Sequence, residues 1–335
     1  MEIRQIANQS EWEKFVLSQS YTFFVQSCHY GEFYEMMGEK SWILGVFDND
    51  KLIGGSLVVS THAKRGSFLY LPYGPIGVGE EILFIYLKKF AKENKFDFVR
   101  CSPFWPVEKE KEGILKQNGF RPAPMHILAE NTWLLDLSKS EEEMMAQMEK
   151  THRYSIRRCE KEGVRVEKLI NEMALKQFNH THDETAKRHN FHRFSKEYIE
   201  KEFKTFALYD EAAVFTGFLP DGRLDSSAII MFFGNMAAYR HGASLNLDNK
   251  LSTSYLVQWE AIKEAKRRGI KWYNFWGVIP AKADKNHPFY GITHFKKGFG
   301  GEQVDLVHCH DLPISWKYWL NWVVETFRSL KRGFK

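Results

Sequence analysis

The stretch YGITHFKKGFGGE, residues 290–302, gathers aromatics, two adjacent lysines and four glycines within thirteen positions. Lys296 and Lys297 offer positive charge, and Gly298, Gly300 and Gly301 let the backbone come close to a ligand. Such a segment suits an anion or an oxyanion that develops during acyl transfer. A solvated glycine turn has the same composition, so both readings stand at this point. The segment is no Walker loop, because the required Gly-Lys-Ser/Thr is absent, and no Gly-x-Ser-x-Gly elbow supplies a serine nucleophile. His180, His182, His189 and His192 invite a metal, but their spacing is not HExxH and no cysteine accompanies them. They read as a polar helix and loop. His308 and His310 alternate along a predicted strand, HCHD, and share one face. Any of these imidazoles has the chemistry of a general base, and the sequence singles out none. Asp48-Asn49-Asp50 lacks the glycine and distal glutamate of a calcium loop and reads as a hairpin turn.

The elements that must carry these residues occur twice in the same order. WILGVF-DNDK-LIGGSLVV and AAVFTGFL-PDGR-LDSSAIIMFF both read as β-hairpins, apolar runs around a turn of Asp, Asn, Pro or Gly. A third strand follows each, SFLYLPYGP and AAYRHGAS. Next comes a helix, the first with Ile82, Leu83, Tyr86, Leu87 and Phe90 on one face, the second with Tyr255, Trp259 and Ile262. Each helix runs through a basic turn into a strand, KENKFDFVRC and KRRGIKWYNFWG. The offset between copies stays at about 172 to 175 residues, as from Lys51 to Arg223 and from Asn94 to Gly269. Duplication of one α/β unit explains this order. The spacing predicts a first domain over 1–145, a second over 146–312 and a terminal helix over 313–335. The boundary falls in a charged helical stretch with Ser138 or Ser140 as its N-cap.

The totals agree with a two-domain globular protein. The chain has 335 residues, 44% hydrophobic and 27% charged, with ten tryptophans. Its net charge is +5, and most of that lies in residues 314–335, where five basic residues face one acid. Cys28, Cys101, Cys159 and Cys309 form no CxxC pair, which excludes a zinc ribbon and points to reduced thiols in the cytoplasm. Neither a signal peptide nor a run of about eighteen apolar residues is present.

Five segments, in order along the chain, resemble the FemABX aminoacyltransferases that build peptidoglycan interpeptide bridges. FFVQSCHYGEFYE resembles the family's entry motif, and GSFLYLPYGPIG its Tyr-x-x-x-Gly-Pro strand end. THRYSIRRCEKEGVRV resembles its basic helix leading into Gly-Val-x-Val. ETAKRHNFHRFSKEYIEKEF resembles its Arg-His segment, and FKKGFGG its Phe-Lys segment. The resemblance implies two tandem GNAT-like acyltransferase domains, mixed sheets flanked by helices. The long coiled-coil arm of some members has no counterpart, since no sufficient run of heptads exists. It implies transfer of an amino acid from aminoacyl-tRNA to the stem-peptide amine of a UDP-linked or lipid-linked muropeptide, with neither cofactor nor metal.

Carried over by position, Phe295 and Lys296 lie beside the tRNA acceptor end and the reacting carbonyl. Lys296 meets the terminal phosphate or the oxyanion, and Phe295 stacks under the terminal adenine or packs the peptide. Arg193, with Arg188 as understudy, holds the precursor diphosphate, because a guanidinium fork suits phosphate oxygens. Tyr30, Gln26 and Tyr73 line the cleft where the halves meet, and Tyr239 and His241 neighbour the reacting groups. Some members place a lysine two residues after the entry aromatic. Here Tyr30 is followed by Gly31 and Glu32, which tells against UDP-precursor binding of that style and favours a lipid-linked or different acceptor.

Two other readings compete. An acyl-CoA enzyme needs Q/R-x-x-G-x-G/A at a helix start, and PYGPIGVGE does not match it. A non-catalytic membrane-surface module would hold an anionic glycolipid. In favour of membrane contact, Trp316, Trp319, Leu320, Val323, Phe327 and Leu330 share one face of the terminal helix, with Lys317, Arg328 and Arg332 on another. Docking of that face on the domain core is the other expectation.

Overall fold

A computed structural model describes residues 1–63, 66–189, 193–283 and 286–332. The chain forms two compact units, Met1–Glu130 with Asp305–Lys335, and Asn131–Val304. The first contains β1 (Glu2–Gln5), α1 (Gln9–Leu17), α2 (Cys28–Met36), β2 (Ser41–Asp48), β3 (Lys51–Ala63), β4 (Gly66–Tyr73), β5 (Ile76–Gly77), α3 (Glu80–Glu93), β6 (Phe98–Pro103), α4 (Lys109–Gln117) and β7 (Arg121–Pro122). The second runs through β8 (Asn131–Asp136), α5 (Glu141–Gln147), α6 (Lys150–Lys161), β9 (Arg165–Leu169), α7 (Glu172–His189), α8 (Lys196–Ala207), β10 (Ala212–Phe218), β11 (Leu224–Phe233), β12 (Met236–Ser244), α9 (Thr253–Arg267), β13 (Trp272–Gly277), α10 (Tyr290–Lys297) and β14 (Glu302–Asp305). The chain then returns to the first unit as β15 (His310–Pro313) and α11 (Lys317–Arg332).

Both expected hairpins form, β2 with β3 around Asp48–Lys51 and β10 with β11 around the Pro-Asp-Gly turn. In each unit the third strand pairs antiparallel with the hairpin and parallel with the strand after the helix. The sheet order is β1-β2-β3-β4-β6-β15-β7 in the first unit and β14-β8-β13-β12-β11-β10-β9 in the second. Leu83, Phe84 and Leu87 of α3 pack on Leu44, Val58 and Leu69; Trp259, Ile262 and Ala265 of α9 pack on Phe215, Ile230 and Tyr273. Apolar faces at helical spacing thus cover one face of each sheet. The longest helix among the described residues, α7, has 18 residues, too short for a coiled-coil arm.

Three expectations are corrected. The first boundary lies at Glu130/Asn131 and not after residue 145, because β8 pairs with β13 and so belongs to the second sheet. Ser140 does cap α5, in a full capping box with Glu143, but that helix already lies inside the second unit. Nor do residues 305–312 stay with the second unit, since β15 is hydrogen-bonded between β6 and β7. Finally, that strand begins at His310, so His308 does not alternate along it. The His308 ring instead lies 2.8 Å from both Glu130 Oε2 and the Ala123 carbonyl.

Candidate functional site

The stretch YGITHFKKGFGGE is helical over Tyr290–Lys297, and Gly298, Gly300 and Gly301 follow the helix. Lys296, in its last turn, is only 8% exposed. Its Nζ donates to the Gly277 carbonyl of β13 at 2.6 Å and lies 5.8 Å from the centre of the Tyr239 ring on β12. No carboxylate among the described residues pairs with it. Burial without a counter-charge disfavours the ammonium, and the pKa falls from 10.5 to about 7. Lys296 is therefore no fixed cation, as its residue type suggested, but a group that gains and loses its proton near neutrality.

The backbone here departs from a regular sheet. β12 and β13 pair over three positions only, Met236↔Trp272 to Ala238↔Asn274. Immediately beyond, each strand carries a bulge: Arg240 is the extra residue against β11, and β13 shifts register against β8 between Asn274 and Gly277. Trp276 sits at φ +63°, a left-handed conformation that a bulky residue rarely adopts. The Asn274 side-chain oxygen fixes it, accepting from the Trp276 N–H at 2.7 Å and from Thr132 Oγ1 at 2.6 Å. Bulges re-aim side chains and end pairing. Here they separate the parallel strands β12 and β13, and Lys296 contacts both just past the point where they diverge. The first unit lacks this feature: β4 and β6 remain paired over six positions, from Phe68↔Phe98 to Tyr73↔Pro103.

The second unit also holds α10 firmly. Thr293 Oγ1 accepts from the Ile279 N–H at 3.1 Å, and Trp133 Nε1 donates to the Gly300 carbonyl at 2.7 Å. His152, buried on α6, donates from Nε2 to the Phe295 carbonyl at 2.9 Å. Burial keeps that imidazole below its ordinary pKa, consistent with a neutral donor tautomer. The close approach requires Gly298, since a Cβ there would lie 1.9 Å from His152 Cε1. Gly298→Ala is accordingly expected to destabilise the protein by about 1–3 kcal/mol. In thermal denaturation, His152→Ala added to it should restore some of the loss by removing the ring. Additive losses would show that this contact does not set the penalty.

Beside the diverging strands lies a buried charge cluster. Glu202 of α8 accepts from Arg240 Nε and Nη2 at 2.8–3.1 Å, and His241 Nε2 lies 3.1 Å from it. Burial pushes the Glu202 carboxyl up, but Arg240 and His241 more than reverse this, to about 2. Arg240 in turn lies 5.3 Å from the Trp276 ring centre, linking the cluster to the strained turn.

The predicted site residues divide accordingly. Lys296 and Tyr239 come together. His241 lies on the same strand, but buried with its ring against Glu202. The Phe295 ring is partly buried and packs at T-shaped angles against Tyr255 and Phe299, with centres 5.1 and 5.3 Å away. The Arg193 guanidinium is engaged by Asp183, both Asn179 oxygens and the Phe194 carbonyl, which leaves no open fork for a diphosphate. Arg188 holds the Ser244 and Leu245 carbonyls at the end of β12. In the first unit Gln26, Tyr30 and Tyr73 are all enclosed. Gln26 bonds the Leu57 N–H and the Pro72 carbonyl, Tyr73 donates to Ala129, and Tyr30 packs against Phe24, Phe33 and Tyr34. They organise the interior and line no open surface. Among the described residues no group of three or more His, Cys, Asp or Glu is placed for a metal ion; His192 lies outside them.

Sequence reasoning missed Trp276, the Gly277 carbonyl, Arg240, Glu202 and His152. A glycine ending the aromatic strand WYNFWG was the available sign of a bulge. Nothing in the sequence marked Glu202 as buried.

The FemAB family profile matches residues 7–121, 119–216 and 224–326. A lipid II:glycine glycyltransferase of Staphylococcus epidermidis is 22% identical over 289 residues, covering 66% of this chain and 69% of that protein. The crystal structure of FemX superposes with a TM-score of 0.84 at 19% identity, over 97% of this chain and 100% of that one. A tandem GNAT protein from the clavulanic acid pathway gives 0.58 at 10% identity, over 94% and 98%. The two structural likenesses establish the fold, a tandem pair of GNAT-like domains, and the profile match over most of the length establishes descent. This chain belongs to the FemAB family.

Proposed function

We propose that the protein transfers an amino acid from aminoacyl-tRNA to the stem-peptide amine of a lipid-linked muropeptide, with the chemistry at Lys296. The carrying observation is a buried lysine poised near pH 7 between two diverging strands. Membership of the family and the substrate in the glycyltransferase relative's name support the acceptor. The donor is an activated ester, so the reaction needs no cofactor. A charged tRNA donor places it in the cytoplasm, and a lipid-linked acceptor places it at the inner face of the membrane.

The acceptor amine, in its neutral form, attacks the ester carbonyl, the C–N bond forms, and the bond between the carbonyl carbon and the ribose oxygen breaks. An amine with a pKa near 10.4 in water becomes far more acidic as its nitrogen bonds to carbon, so a base near 7 can take its proton. The Lys296 ammonium so formed faces the oxyanion, and its proton finally passes to the departing ribose oxygen. Tyr239 supplies a π-face to the cation, and burial excludes water that would hydrolyse the ester.

Two measurements test this. Purified protein with lipid-linked muropeptide and a full set of charged tRNAs should give a mass gain of one or more amino-acid residues, abolished by RNase. No gain, with transfer from acetyl-CoA instead, would move the protein to the ordinary acyltransferases. The kcat/KM for the acceptor should rise with pH more steeply below about 7 than above it, since the acceptor amine must be neutral throughout and the lysine adds its own deprotonation near 7. An unchanged slope over pH 6–8 would remove Lys296 as the base.

A further inference from the structure

Helix α11 is docked on the first unit by its polar side. Arg100 of β6, itself buried, binds Asp311 of β15 at 2.7 and 2.8 Å and reaches Glu325 of α11 at 2.7 and 3.2 Å. Tyr318 is fully buried with its ring 5.3 Å from Phe98, and Asn321 also faces inward. These contacts fix the roll of the helix. Trp316, Leu320, Val323, Phe327 and Leu330, spaced four, three, four and three apart, form a straight stripe on the opposite side, with Trp316 69% and Phe327 70% exposed. A helix that merely caps its own domain has the reverse arrangement, apolar stripe inward and charges outward.

The charges around the stripe have one sign. Lys317, Arg328 and Lys331 are exposed beside it, and the one carboxylate of the helix, Glu325, is turned inward to Arg100. We infer that α11 is a lipid-docking surface, its Trp316–Leu330 stripe seated in the headgroup boundary of an anionic bilayer and its cations against the lipid phosphates. Tryptophan, large aliphatics and flanking cations on one short helix are what that boundary accommodates. A second copy of the chain fits less well: stripe against stripe would bring like cations together, with no carboxylate on the exposed face to pair them. Among the described residues no helix is long and apolar enough to cross a membrane, so the contact is with one leaflet's surface. The inference stands apart from the transfer chemistry, and if both hold, the enzyme works on the surface that carries its acceptor.

The test uses the full chain with vesicles of phosphatidylcholine, with and without phosphatidylglycerol, and no muropeptide. Co-sedimentation and a blue shift of tryptophan emission are expected with the anionic vesicles only. Leu320→Asp with Phe327→Asp should weaken binding about tenfold or more, as should Arg328→Glu with Lys331→Glu. Because these side chains are exposed, the thermal midpoint should stay where it is. Absence of sedimentation overturns the inference, as does equal binding by the aspartate variant. So does an oligomer that the aspartates dissolve while vesicle binding persists. Transfer to the lipid-linked muropeptide dissolved in detergent without vesicles, measured on the same proteins, keeps the two proposals apart. Vesicle binding without transfer would sink the enzymatic reading alone, and transfer without vesicle binding would sink this one alone.

Discussion

Lys296→Met is expected to lower kcat by about 10²–10⁴-fold, the range for loss of a positioned general base, and at the same time to stabilise the protein near pH 7. The gain in stability comes from the same displaced proton affinity. In the unfolded chain this lysine titrates near 10.5, and in the folded protein near 7. Between those values the unfolded state binds the extra proton, so stability rises as pH climbs from about 7 to about 10.5. Below about 7 the full penalty of holding the ammonium in the interior is present. Methionine fills similar space without that charge. The thermal midpoint of the variant should exceed wild type at pH 7, and the difference should shrink toward pH 10. A drop in stability at pH 7 would mean that the ammonium is better solvated than its burial indicates. Wild-type turnover would dismiss the assigned site outright. Lys296→Arg should also fail in transfer, because a guanidinium cannot give up its proton near neutrality.

Glu202→Gln is expected to be the most destabilising polar substitution in the second unit, at about 3–5 kcal/mol, since it leaves Arg240 charged, buried and without its counter-ion. Its pH signature differs from that of Lys296. The folded carboxyl titrates near 2 against an ordinary value of 4.5, so its contribution is fully present above about 4.5 and is lost as pH falls toward 2. Wild type should lose stability across that window, and the glutamine variant should lose correspondingly less. Glu202→Leu with Arg240→Met should recover much of the stability while leaving transfer impaired, because Arg240 no longer supports the Trp276 ring. Chemical denaturation at pH 7 and pH 4 on the three proteins reads all of this. If the single and double variants are equally destabilised, the pair is not the unit at work.

Both hairpins were legible because turn chemistry is local: DNDK and PDGR announce themselves between apolar runs, and the constant repeat offset located the strand and helix after each. The extent of strand pairing was not. Whether β12 and β13 stay together beyond Ala238 depends on bulges set by Asn274, Thr132 and the fit of Arg240, none of which a propensity records. Lys296 was visible as a lysine in a suggestive place, but a shifted proton affinity comes from the groups that folding packs around it. Arg193 misled for a related reason. A guanidinium suits phosphate, and it suits equally the Asp183 carboxylate and Asn179 amide that α7 brings beside it. The stripe of α11 was readable as a stripe, yet amphipathicity does not say on which side the core lies. That depended on contacts between distant parts of the chain, Glu325 with Arg100 across 225 positions of sequence and Tyr318 against Phe98.

The place of β15 sets an order of synthesis. It lies between β6 and β7, so the short β7 joins its sheet only through a strand made from residues 310–313. As the chain leaves the ribosome, the unit that begins first is therefore finished last. Until residues 310–313 emerge, β6 keeps an open edge, while everything from β8 to β14 is already available to close upon itself. A nascent chain interrupted near residue 304 carries a complete second unit and the assembled Lys296 site, attached to an unfinished partner. Helix α11 arrives only after the strand that completes that unit, so its exposed stripe takes its place once the first sheet is sealed.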